Sequence, residues 1–130
     1  MDGELLSGID LWNAGEYLRA EEEFEHLWLT EAGARRRCLR GLVHAAMGFH
    51  YMTVRDVPSA RSKLSSAASI LAGFASHVLG LDLDALRTGI AGARVALEAA
   101  GQDGSFDPAG VPVPRLVSGA AVAAPQEAQA

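Results

Sequence analysis

The chain predicts an all-α fold: a bundle of about five helices made of two antiparallel helical hairpins, tetratricopeptide-like in part, with an irregular C-terminal tail. Three observations carry this expectation. Hydrophobic residues make up 49% of the 130 positions while aromatics make up only 6%, and alanine, the strongest helix former, is abundant. Apolar residues recur every three or four positions along five stretches, the period of a helix face. Runs of β-branched residues in alternating polarity, the mark of half-buried strands, are absent from the sequence.

The first helix is expected over about 4–13, with Leu5, Ile9 and Trp12 inward and Gly15 closing it, since glycine accepts the left-handed conformation that ends many helices. The second spans about 16–31, with Tyr17, Ala20, Phe24, Leu27 and Trp28 on its apolar face. Glu16 suits the positive end of its dipole. Ala32, Gly33 and Ala34 form a short break. The third helix spans about 35–55 on a stripe of Leu39, Leu42, Val43, Ala46, Phe49 and His50. Gly41 and Gly48 are poor helix residues, and predict close approach of another backbone on that side. Asp56 is placed to cap the fourth helix and Pro58 fits its first turn. Ala60, Leu64, Ala68, Leu71 and Ala75 make its stripe. Gly80 punctuates the chain. Asp82 or Asp84 caps a fifth helix built on Leu83, Leu86, Ile90, Ala93 and Leu97 and ending at Gly101.

From Gln102 onward Pro108, Pro112, Pro114 and Pro125 break helix and Ala and Gly dominate. The chain therefore divides into a helical bundle, 1–101, and an extended Pro/Ala/Gly-rich tail, 102–130. The apolar portion from Val111 to Val117 needs a surface, either the bundle itself or a neighbouring subunit. Gly15-x-Tyr17-x-x-Ala20 has the pattern that starts a tetratricopeptide helix pair, with a weaker echo from Asp56 to Ala60. Ala20 and Ala60 are 40 positions apart, longer than the ~34 of that repeat. Two hairpins packed face to face fit this spacing better than a solenoid array.

A net charge of −5 argues against nucleic-acid binding, which needs a basic footprint. No apolar run approaches the ~18 residues of a membrane span, so no membrane partner is expected. The single cysteine, Cys38, excludes an intrachain disulfide framework and reads as a small core residue. The acidic start of the chain does not resemble a secretory leader, and a cytoplasmic setting is expected. The glycines beside the third helix, the small residues of the fourth and the unsupported tail predict a homodimer. A further protein partner fits the same surfaces.

The spacing from Trp12 to Trp28 resembles the first signature of a family of small bacterial and archaeal helical proteins called domain of unknown function 309. Trp12, Asn13, Gly15, Tyr17, Ala20, Glu22, Glu25 and Trp28 match it. Gly41, Leu42, Val43, Ala46 and His50 match a second block, and Ala60, Arg61 and Leu64 a third. Leu18 replaces an aromatic and Arg19 a Glu. Glu21 stands where that family has His, and His44 where it has Gln. The resemblance implies the helical fold and brings no activity.

Candidate chemistry gathers on the second and third helices. Glu21 lies on the apolar face between Tyr17 and Trp28, and Glu25 lies one turn on, at its edge. A buried carboxylate requires a partner, a proton or a cation. His50 on the next helix is the expected partner, within hydrogen-bond reach of Glu21. Glu21, Glu25 and His50 thus form a buried polar network or a divalent-metal site, with no cofactor otherwise required. Glu22, Asn13 and Tyr17 are secondary candidates: Asn13 and Tyr17 belong to the first turn, or to a pocket between helices near Trp12. His26 and His44 fall off the apolar stripes and are expected in solvent. Arg35, Arg36, Arg37 and Arg40 face the glutamates of the second helix, or hold a phosphate or carboxylate. Glycine-rich phosphate loops, Ser-His-Asp order and Cys/His metal spacings are missing from the sequence. The reading favoured is a non-catalytic interaction or scaffold module. A metal-binding protein or metal-dependent enzyme using Glu21, Glu25 and His50, and a small-ligand binder, are the alternatives.

Overall fold

A computed structural model describes residues 3–100 and 106–116. Five helices run in order among them: α1 (Gly3–Asn13), α2 (Tyr17–Thr30), α3 (Gly33–Thr53), α4 (Val57–Leu71) and α5 (Leu83–Ala99). The protein is all-α, and the bounds of α1, α2 and α3 differ from those expected by no more than two residues. Asp56 caps α4 by accepting from the Ser59 N–H, and Asp82 caps α5 by accepting from Ala85 N–H, which settles the choice between Asp82 and Asp84. The expected stop of α5 at Gly101 and the tail beyond residue 116 lie outside the described residues.

Two features depart from expectation. α4 ends at Leu71, so Ala75 lies past the helix and is exposed, and Ala67 rather than Ala68 is fully buried. Between α4 and α5 a two-residue ladder pairs β1 (His77–Val78) with β2 (Leu81–Asp82), antiparallel, His77 opposite Asp82. Its turn places Leu79 (φ 57°) and Gly80 (φ 70°) in the left-handed region, the geometry a two-residue hairpin needs. Gly80 was the only signal for it, and a pair this short has no alternating pattern to read.

Helices that follow one another in the chain pack on one another in space. α3 and α4 share the most extensive interface, followed by α2 with α3, α1 with α2 and α4 with α5. The pairs are antiparallel: Gly41 packs on Leu71 and Gly48 on Leu64, and Arg61 reaches Leu97 while Arg87 reaches Leu71. The α1/α2 and α3/α4 hairpins are joined through α2 and α3.

The forty-residue echo seen in the sequence is structural. A Cβ on Gly8 would stand 2.5 Å from Phe24, and one on Gly48 2.5 Å from Leu64; 48 − 8 and 64 − 24 are both 40. The turns match as well. After α1, Gly15 (φ 83°) lets the Glu16 N–H donate back to the Leu11 carbonyl at 2.8 Å. After α3, Arg55 (φ 63°) lets Asp56 N–H donate back to the Tyr51 carbonyl at 2.9 Å. The α1/α2 and α3/α4 pairs are two copies of one device. Close approach at Gly48 is the most constrained point, because the Leu64 backbone N is only 3.2 Å from the missing Cβ. Gly48→Ala is expected to destabilise by about 1–3 kcal/mol through forced separation of α3 and α4. A chemical melt matching wild type would refute this.

Residues 106–116 of the tail return to the bundle. Phe106 and Leu116 are buried, and Pro114 seats on α5 where a Cβ at Gly89 would stand 2.4 Å from it. Gly41, Gly48, Ala60 and Ala67 are likewise packed within one chain, while Ser65 and Ser69 are exposed.

Candidate functional site

α2 presents Glu21 and Glu25 from one helical row. Glu21 is buried, with 8% of its surface exposed, while Glu22 and Glu25 are exposed. Removal from water first, and then hydrogen bonding with and charge on Glu25, push the Glu21 carboxyl up to about 7. Glu22 adds to the rise and the Lys63 ammonium of α4 opposes it. Glu21 therefore holds its proton far above the ordinary carboxylate range, and it can donate as well as accept.

The imidazole that shares a cleft with Glu25 is His44. The antiparallel register sets Tyr17 against Phe49, ring centroids 6.1 Å apart, and Glu25 beside His44. That register leaves His50 level with the start of α2. It is half-buried against Tyr51, and among the described residues no hydrogen bond joins it to Glu21 or Glu25. His44 is half-buried rather than in solvent. Its Nδ1 is enclosed with no hydrogen-bond partner. Burial first, then the Lys63 and Arg40 cations, hold it below the ordinary imidazole range. The stripe model failed here for a physical reason: α3 is gripped from both sides by α2 and α4, so its covered surface wraps past a single stripe.

Glu25, Trp28, Arg40, Val43 and His44 line a cleft of about 210 Å³. Arg36 stacks on Trp28 with its guanidinium 4.5 Å from the ring centroid, and Arg37 stacks on Phe74 at 5.3 Å. Arg35 pairs with Glu31 across one turn. Arg36, Arg37 and Arg40 make no ion pair with the α2 glutamates among the described residues; Glu16 pairs with Arg19 and Glu23 accepts from Ser7. His26 pairs with Glu4 in solvent, which raises it. No group of three or more His, Cys, Asp or Glu among the described residues is arranged to hold a metal ion. Cys38 is buried, and burial pushes its thiol up to about 11.

A second arrangement was not legible in the sequence. The Asn13 side chain pairs with the backbone of Leu116 in both directions: its Nδ2 donates to the Leu116 carbonyl at 3.0 Å and its Oδ1 accepts the Leu116 N–H at 2.9 Å. The Trp12 indole N–H donates to the Pro114 carbonyl at 2.8 Å. Asn13 thus serves the tail, and not its own turn. Trp12 is core, packed edge-on against Tyr17 at 5.6 Å and Phe49 at 5.5 Å. Beside the tail, an open cleft of about 670 Å³ runs between α5 and the segment from Gly110 to Pro114. The one hint in the sequence was a tryptophan and an asparagine adjacent at a helix end, both with donors to place.

No helix among the described residues is long and apolar enough to cross a membrane. An uncharacterized protein of Aquifex aeolicus (strain VF5) is 29% identical over 88 residues, which is 66% of this chain and 26% of that protein. The chain spans about a quarter of the length of this curated relative. Trp12, Asn13, Glu21, Glu25, Arg40 and His44 all lie in the segment 5–62, over which the chain matches the model of, and so resembles, the family described as Domain of unknown function (DUF309).

Proposed function

We propose that the chain is a non-catalytic interaction module that holds an extended polypeptide segment against the α1–α5 side of its helix array. One observation carries this reading: Trp12 and Asn13 grip the 114–116 backbone through three hydrogen bonds. Such bonds address peptide groups and not side chains, so they suit any extended segment of the right shape. The prolines at 112 and 114 keep the segment extended, and the adjoining cleft along α5 gives room for a longer one. A lone, buried cysteine supports a cytoplasmic setting. In this reading the tail is the resident occupant, and a partner's segment competes with it.

The test weakens the resident. Leu116→Asp places a charge on a buried anchor, and the full-length variant is then titrated with a labelled peptide of residues 106–116. The peptide is expected to bind this variant at least tenfold more tightly than wild type, whose tail competes at a high effective concentration. Adding Asn13→Ala is expected to abolish binding. A folded Leu116→Asp variant that ignores the peptide would overturn the reading.

A further inference from the structure

We propose that the cleft beside Trp28 binds a small zwitterion, an α-amino acid with an apolar side chain, held by Arg40, His44 and Glu25. The site lies between α2 and α3 and uses none of the residues that grip the tail. Its donors and acceptors are of both signs and face one small space. Arg40 is free of any carboxylate partner among the described residues, and its planar guanidinium suits bidentate capture of a carboxylate.

His44 adds a directed donor. Nδ1 is enclosed and unpaired, and a buried ring nitrogen without an acceptor is least costly when it carries no proton. The neutral ring then carries its proton on Nε2, which is left able to donate. Burial and the nearby cations hold the ring neutral, which keeps this tautomer in force. Glu25 supplies the opposite sign, an acceptor for an ammonium on the same ligand. Its presence disfavours a bare anion such as phosphate, and Arg40 with Lys63 disfavours a bare cation. Trp28 and Val43 form the apolar wall, and Arg36 stacked on Trp28 holds the ring in place. A volume of about 210 Å³ is of the order of a small metabolite.

The experiment titrates the full-length protein with L-phenylalanine and L-leucine, following backbone amide shifts by NMR. Two truncated probes, phenethylamine and 3-phenylpropionate, each lack one charge. Binding of an amino acid with shifts centred on Trp28, Val43 and His44 is expected, with each truncated probe at least tenfold weaker. Arg40→Gln and Glu25→Gln change exposed side chains and leave the fold intact; each is expected to lower amino-acid affinity at least tenfold. Equal binding of 3-phenylpropionate and L-phenylalanine would overturn the zwitterion assignment. Absence of shifts at these residues with every probe at about 10 mM, where a site of about 1 mM Kd is nearly filled, would overturn the site.

Discussion

Asn13→Ala is expected to lower the unfolding free energy by about 2 kcal/mol, the largest effect of any exchange at a half-buried position of α1. The asparagine makes two hydrogen bonds to one residue more than a hundred positions away. Each such bond contributes about 1 kcal/mol net, and an orphaned backbone group in a partly buried place adds to the loss. The segment also releases Leu116, which is 3% exposed, and frees the Trp12 indole from Pro114. Asn13→Asp keeps the acceptor and loses the donor, so its loss is expected to be smaller. Urea melts of the three proteins, with hydrogen exchange at the Leu116 amide, check the claim. Wild-type stability with fast Leu116 exchange would show that the grip contributes nothing to folding.

Glu21→Gln is expected to stabilise the protein at pH 8 by about 2 kcal/mol and to change little at pH 4. The folded-state value of about 7 lies above the ordinary 4.5 of the unfolded chain. Between those values the native state binds a proton that the unfolded state releases, so stability falls as pH rises through this window and stays lower above it. A shift of this size corresponds to at most about 3 kcal/mol. Glutamine keeps the hydrogen-bonding shape of the protonated carboxyl without the charge. Its melting temperature is therefore expected to decline less from pH 5 to 8 than that of wild type. Parallel declines in both proteins would place the pH dependence elsewhere.

Helix order and most of the core were legible because each rests on local periodicity: Leu5, Ile9 and Trp12, or Leu83, Leu86 and Ile90, need only a face to bury. Gly41 and Gly48 signalled close backbone approach, and α4 supplies it. Glu21 was legible for the same reason, as a carboxyl on an apolar face. The imidazole that shares a cleft with Glu25 was not. Choosing His44 over His50 requires the register between α2 and α3 and the fact that α3 is covered on two sides, and neither is a property of one helix. Lys63 sits on a different helix, with no spacing to tie it to Glu21. The partner of Asn13 is further still from local signals, since nothing near residue 13 encodes a strand-like segment at 114–116.

That separation in sequence has a kinetic consequence. The helix array is made of contacts between chain neighbours, the kind of topology that folds quickly and can assemble piece by piece as a chain lengthens. Trp12 and Asn13 find their acceptors across 102 and 103 residues, so their three bonds close one large loop that forms only once residue 116 has been made. Until then the α1–α5 side stands with its indole N–H and its carboxamide open. A ribosome-bound intermediate therefore presents the groove empty, at the one stage when its own tail cannot yet reach it.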